Sequence, residues 1–363
     1  MAYHHLPEKE LRAFCESVMA KYGFSEKQSR DITDVVLTAD LQGLESHGIQ
    51  RLIRYHRGIT AGTIHPDKMP TVDYETPLSV VMDANGAMGQ IASVDAMERA
   101  IAKAKEHGFG VAVLHNSNHF GVGGYYAMMA AREGMIGMVF TNTEAICVPT
   151  FGKKAMLGTN PIAFCMPAEP IPLMYDVATS VVPRGKLEVY AKQEKPMPIG
   201  WGVDENGQDT DDAKRVIDNI KNKAGGGILP LGGSSPANGS HKGYGLALIV
   251  EALSSVIAGG HASAHVASNG VGDTSQSFFA IDLSLFGDKE EQIARLSTLL
   301  QELRDSPKAE GKKAIYTPGE MEVYSREDKL KNGIPANDAT VSELRSIAEH
   351  FGMDFDALVP MID

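Results

Sequence analysis

From Leu78 onward the chain alternates short β-branched and apolar runs with longer stretches of helical periodicity. That alternation fits a sheet with helices packed on it. Leu78–Asp83, Gly110–His115 and Ile136–Asn142 read as strands, and Ile91–His107 and Gly124–Glu133 as the helices between them. Ile162–Met166, Leu173–Val177 and Phe278–Leu283 add further short strands. Residues 1–65, by contrast, read as all-helical. Pro7 starts one helix through Leu11, Phe14, Cys15, Val18 and Met19, ending near Gly23. Ser25 to Gln28 is a capping box for a second helix through Val35, Val36, Leu37 and Leu41. A third carries His47 and ends near Gly62. Pro66–Pro77 is a turn-rich connector, Pro183–Asn222 is polar with long excursions, and Gly225–Gly227 and Leu231–Gly245 read as loop. Leu246–Ile257 is an apolar helix containing Glu251, Lys289–Asp305 is amphipathic, and Val341–Phe351 is a last helix. The expected architecture is α/β: a helical N-terminal segment (1–75), an α/β core (76–310) and a C-terminal helical segment (311–363).

The 34 Lys and Arg against 46 Asp and Glu give a formal charge of −12, so nothing favours nucleic acid or an anionic membrane surface as partner. An anionic substrate would need a local cationic pocket. Cys15, Cys147 and Cys165 have neither zinc-like spacing nor the number for a disulfide framework, which fits a reducing cytoplasm. The start of the chain is polar and leads into a helix, so no signal peptide is expected, and no apolar run reaches the roughly 18 residues of a membrane span.

The segment Ser46 to Tyr55 carries the most chemistry. If helical, it places His47, Arg51 and Tyr55 at i, i+4 and i+8, in one column. Ser46 as N-cap would put His47 in the first turn, where the helix dipole disfavours the imidazolium. Arg51, one turn on, suits a planar carboxylate. The plain alternative is a solvent-facing polar stripe opposite Ile49, Leu52, Ile53 and Ile59. Asn116 to Gly121 follows the strand Gly110–His115, at the end of a strand where open α/β sheets place their sites, and brings a second acid/base candidate, His119. A structural histidine in a turn is equally open. Gly121 to Tyr126 approximates a dinucleotide fingerprint but has Tyr126 at its third glycine position, so a Rossmann fold is rejected.

Gly158 to Pro161 and Tyr175 to Ser180 are turn-forming clusters whose hydroxyls and amides could hold ribose or phosphate, or serve only their own turns. Gly239 to Gly245, with Lys242 its lysine, could cradle a pyrophosphate or be surface loop. Glu320, after Pro318-Gly319, offers a ribose-binding carboxylate or a helix N-terminal charge. His261 and His265 at i, i+4 have no carboxylate nearby in sequence, so no metal site is expected.

Taken in order, Ser46-His47-Gly48 with Arg51, Asn116 to Gly121, Gly158 to Pro161, Asp176 to Ser180, Leu229 to Gly233 with Lys242 to Gly245, and Pro318-Gly319-Glu320 resemble the type-2 malate/L-lactate dehydrogenase family, from residue 7 to about 350. That family also holds L-sulfolactate and ureidoglycolate dehydrogenases and diketogulonate reductase. The resemblance implies a non-Rossmann, mixed-sheet, nicotinamide-binding core and a homodimer or larger homo-oligomer. It implies that His47 and His119 are the acid/base pair and that Arg51 and Tyr55, with Asn142 and Thr159, bind a small anionic carboxylate. It assigns Asp176, Val177, Ala178, Thr179, Ser180, Lys242, Gly243, Pro318, Gly319 and Glu320 to the cofactor, NAD or NADP, with NAD slightly preferred. The loop Ser234 to Ser240 departs from the family pattern in length, which leaves the cofactor contacts around it open. The expected reaction is hydride transfer at C2 of a 2-hydroxy or 2-oxo acid. The alternatives are reduction of a cyclic imino acid, a cofactor-independent hydrolase or lyase using the two histidines, and a non-catalytic binding protein.

Overall fold

In the computed structural model, which describes residues 3–266 and 273–362, the chain opens with a strand where a helix was expected. β1 (Tyr3–Leu6) pairs antiparallel with β11 (Ile334–Asn337), Leu6 opposite Ile334, tying the start of the chain to its far end. A four-residue strand whose partner lies more than 300 residues away leaves no local periodicity to read. Next come α1 (Glu8–Lys21), α2 (Glu26–Leu41) and α3 (Leu52–Thr60). The capping box before α2 is present: Gln28 N donates to Ser25 Oγ at 3.3 Å, and Ser25 N donates to Gln28 Oε1 at 2.9 Å. The buried faces of these helices share one core with α11 (Asp338–His350) and α12 (Phe355–Leu358). There Leu11, Ile32 and Leu52 meet Val341, Leu344 and Ile347, and the rings of Phe14 and Phe355 stand edge to face at 5.0 Å.

The central sheet has seven strands: β2 (Thr71–Glu75), β3 (Ser79–Asp83), β4 (Phe109–Ser117), β5 (Met135–Thr141), β6 (Ile162–Met166), β7 (Leu173–Val177) and β10 (Thr274–Asp282). Their order is β2-β3-β4-β10-β5-β6-β7. Only β3 and β4 run parallel, joined by α4 (Gly89–His107); every other neighbour is antiparallel. The sheet is therefore mixed, and a doubly wound Rossmann topology is absent from it. α5 (Gly123–Arg132) crosses β5 and β6, with Tyr126 fully buried beneath it and donating its hydroxyl to Phe120 O. The connector 66–77 contains the edge strand β2, exposed at all five residues, which explains why it lacked an apolar pattern.

The polar stretch after Pro183 folds into a small lobe of α6 (Arg184–Lys192), β8 (Gly202–Val203), α7 (Ala213–Asn222) and β9 (Gly227–Ile228) around Leu187, Met197, Val216 and Ile228. α8 (Ser240–Glu251) follows, continuing into a π-helical turn over Ala252–Val256, then α9 (Lys289–Asp305) and α10 (Glu320–Asn332). The stretch 231–245 was expected to be loop throughout, yet α8 already starts at Ser240. Gly243 serves packing there: a Cβ on it would stand 2.1 Å from Leu231 O. Glycine in a helix start reads as loop because its low propensity is visible in sequence and its close contact is not.

Candidate active site

The segment bearing His47 is two short turns and not one helix. Glu45–His47 and Ile49–Arg51 are separate 3₁₀ turns, divided at Gly48 (φ −87°, ψ −144°), and α3 begins only at Leu52. Ser46 therefore caps no helix; its Oγ bonds His47 Nδ1 at 2.8 Å. The break is fixed from below by Asp40 at the end of α2. Its buried carboxylate accepts from Ile49 N at 2.7 Å, and its carbonyl accepts from Lys329 Nζ at 2.7 Å. Burial pushes the Asp40 carboxyl up to about 8, with the Ile49 amide and Lys329 pulling the other way. Only glycine fits above it: a Cβ at Gly48 would lie 2.0 Å from Asp40 Oδ1. Gly48→Ala is accordingly expected to lower stability by about 1–3 kcal/mol, the usual cost of forcing an atom into a packed site. A denaturant midpoint equal to the parent's would count against this packing argument.

The two histidines, 72 residues apart, meet. The His47 and His119 rings are nearly parallel (27°) with centroids 5.5 Å apart. Tyr55, fully buried on α3, bonds His119 Nδ1 through its hydroxyl at 2.8 Å, and the Gly121 amide points at the same nitrogen from 3.4 Å. His119 is held by the turn after β4, where Asn118 is buried and donates to the carbonyls of Gly86 and Ala87 at 3.0 and 2.8 Å. Both imidazoles are held neutral. Burial, then Arg51 and Arg54, lowers His47 to about 4; burial, then Arg54, His47 and Arg51, takes His119 well below its usual value. The cause is thus desolvation and neighbouring guanidinium groups, and not the helix dipole expected from the sequence.

Arg51 is half-buried, its Nε donating to Ser46 O. Arg54, not among the expected site residues, is the charge that most disfavours protonation of His119 after burial itself. With Arg57, Gly58 and Ala61 it lines a cavity of about 300 Å³ whose other wall holds Asn118 and His119. Its signal in the sequence was the i, i+3 spacing of Arg54 and Arg57, which points both to one side of the helix.

The other expected site residues are distributed differently. Asn142 is fully buried and engaged by protein: Ser275 N donates to it at 2.8 Å, and its Nδ2 donates to His261 O at 2.8 Å and to Glu251. The Thr159 amide donates to the Thr143 hydroxyl at 3.1 Å, and the Thr159 carbonyl accepts from the Thr179 amide and hydroxyl. Asp176 accepts from Gly124 N at 2.7 Å, so its carboxylate occupies the start of α5; burial raises it to about 6. Val177 and Ala178 are half-buried where β7 ends, and Ser180 donates to Val182 O at 2.9 Å. Pro318 O accepts from Met174 N, and Gly319 packs against Pro172 and Met174. Glu320, buried, is bound by Arg304 and by Thr317 Oγ1 at 2.7 Å, and these partners hold it below the usual carboxylate range. Lys242 and Gly243 lie in the first turn of α8; among the described residues Lys242, which is exposed, forms no ion pair and the neighbouring buried Ser240 hydroxyl has no partner. That turn fits a phosphate-bearing cofactor better than the α5 start, which Asp176 already fills. His261 does meet a carboxylate, Asp273 at 2.8 Å, that the sequence spacing did not reveal.

Residues 6–345 match the family described as malate/L-lactate dehydrogenase. The chain is 39% identical over 353 residues to a malate dehydrogenase of Pyrococcus abyssi, covering 97% of this chain and 96% of that one. It is 34% identical to an L-sulfolactate dehydrogenase of Methanocaldococcus jannaschii, covering 96% and 98%. A crystal structure of malate dehydrogenase from Entamoeba histolytica superposes with a TM-score of 0.93 at 32% identity, covering 97% of this chain and 99% of that one.

Proposed function

The chain belongs to the malate/L-lactate dehydrogenase family, oxidoreductases acting on 2-hydroxy acids with a nicotinamide cofactor, and on that premise we propose that His119 exchanges the proton of the C2 oxygen. The observation that carries this is the Tyr55 Oη–His119 Nδ1 bond at 2.8 Å beside a cavity lined by arginine. A phenol can donate to Nδ1 or accept from it. With this bond on Nδ1, Nε2 is the nitrogen left to give a proton to a carbonyl from the imidazolium or to take one from an alcohol as the neutral base. His47, stacked on His119, disfavours a second positive charge and keeps the pair poised for a single proton.

The bound cofactor supplies or accepts the hydride. Lys242, with the Ser240 hydroxyl, would hold its pyrophosphate, and NAD is the preferred form. Arg51 grips the substrate carboxylate through its outer nitrogens, its Nε being fixed on Ser46 O. Arg51→Lys is expected to raise KM about 10- to 100-fold with a smaller change in kcat, since an ammonium makes no planar two-point grip. Steady-state kinetics with wild-type and variant check this. Two copies of the chain associate through the apolar side of α8 and the turn after it, where Leu246, Ile249, Val256 and Ile257 are exposed. The three buried free cysteines suit a cytoplasmic location.

The deciding assay follows NADH absorbance with oxaloacetate, pyruvate, sulfopyruvate and a cyclic imine. Oxidation of NADH by a 2-oxo acid is the expected result. Turnover of the imine alone would move the assignment to an imine reductase. No turnover, with no thermal stabilisation by NADH, would favour the hydrolase or lyase reading.

A further inference from the structure

Among the described residues most arginines outside the segment 51–57 pair with a carboxylate, Arg132 and Arg326 being exceptions. Arg51, Arg54 and Arg57 lie within seven residues of one another and form no ion pair among the described residues, in a chain of net charge −12. Among the described residues no acidic side chain lines the cavity that Arg54 and Arg57 share with His119. Arg51 and Arg54 both act on the two neutral imidazoles and repel one another, with Glu188 of α6 opposing this at Arg51. An anion bound beside Arg54, which is exposed on this face, relieves that repulsion.

The groups are also divided about the histidine pair. Arg51 is the leading charge on His47, is bonded to Ser46 beside it, and feels Arg184 and Glu188 of α6. Arg54 is the leading charge on His119 and opens on the cavity of about 300 Å³. A substrate carboxylate on Arg51 leaves the Arg54 side uncompensated, and a substrate with an uncharged tail would leave it so. Resting on the dehydrogenase reading above, we propose that Arg54 is a specificity-determining residue. It pairs with a second anionic group, carboxylate or sulfonate, at the far end of a 2-hydroxy acid. The preferred substrates are then dianions of four-carbon or equivalent length, with the reacting C2 oxygen at the histidines between the two arginines. Arg57, on the same side of α3 one turn further on, adds to the field at the cavity without being required for the contact.

The test compares kcat/KM for oxaloacetate and for pyruvate in the wild-type, Arg54→Gln and Arg54→Lys proteins. NADH affinity is measured in each by fluorescence titration. The wild-type protein should prefer oxaloacetate. Arg54→Gln should lower the oxaloacetate-to-pyruvate ratio by about 10- to 100-fold, the size of one lost charge-assisted contact, and Arg54→Lys should restore part of it. NADH affinity should hold within a factor of about three in all three proteins, since the contact lies with the substrate. An equal loss on both substrates, or an unchanged ratio, would overturn the assignment. So would a weakened NADH titration with the ratio intact, which would turn Arg54 towards the cofactor. If the wild-type protein reduces no 2-oxo acid at all, the dehydrogenase reading fails first and this one falls with it. Active wild-type with a ratio insensitive to Arg54 defeats the specificity claim alone.

Discussion

His119→Ala is expected to lower kcat by about 10²- to 10⁴-fold in both directions, the range for losing a positioned general acid–base. His47→Ala should fall within the same range, the larger loss marking the residue that touches the C2 oxygen. The pH dependence carries the sharper prediction. Both native imidazoles are depressed, His47 to about 4, so the free enzyme is neutral at the pair at neutral pH. Alcohol oxidation, which needs a neutral base, should keep a constant kcat/KM through neutrality and fall only as the pH drops through the depressed values. Carbonyl reduction needs the proton and should decline as pH rises above them. A bound anion offsets Arg51 and Arg54 and raises the histidine values, so the kcat profile should lie at higher pH than that of kcat/KM. Coincident profiles would argue against arginine control of these imidazoles. The same groups affect stability: the unfolded histidines take protons near 6.5 that the native pair refuses. Their contribution is therefore complete above about 6.5 and is lost as the pH falls towards 4.

What the sequence disclosed follows from the range of the physics involved. The capping box at Ser25, the strands Ile162–Met166 and Leu173–Val177 and the helix Lys289–Asp305 are local patterns, and the fold keeps each of them. The mixed sheet was legible only through family likeness, because the insertion of β10 between β4 and β5 is a long-range choice that no window contains. His47, Arg51 and Tyr55 were selected from an assumed helix that Gly48 interrupts. The convergence with His119 comes instead from the Tyr55 hydroxyl and the turn at Asn118. Arg54 is not singled out in the sequence because its place beside His119 depends on a contact between segments more than 60 residues apart. Glu320 and Asp176 illustrate the converse: a carboxylate in a likely-looking motif can already be claimed by Arg304 or by the Gly124 amide.

Glu251→Ala should lower stability by about 3–5 kcal/mol, measured as a shift in denaturant midpoint. In sequence Glu251 is one acid inside the apolar run Leu246–Ile257. In the fold it is 6% exposed and its two oxygens gather five donors. Asn160 Nδ2 stands at 2.8 Å, Ser263 N and Oγ at 2.7 Å, Ser255 Oγ at 3.0 Å and Asn142 Nδ2 at 3.3 Å. Truncation strands those donors away from water, each at about 1–3 kcal/mol before relaxation. Glu251→Gln keeps one acceptor oxygen but turns an amide group on the remaining donors, so an intermediate loss is expected. The carboxylate also links function to fold: it anchors Asn142 and the Thr159-Asn160 turn, whose carbonyls in turn receive the Thr179 hydroxyl. If that cluster supports the substrate side of the site, the glutamine variant should raise KM before it lowers the folded fraction. A variant with parental midpoint and kinetics would mean that the five donors find water or one another, and that the cluster sets neither stability nor the shape of the site.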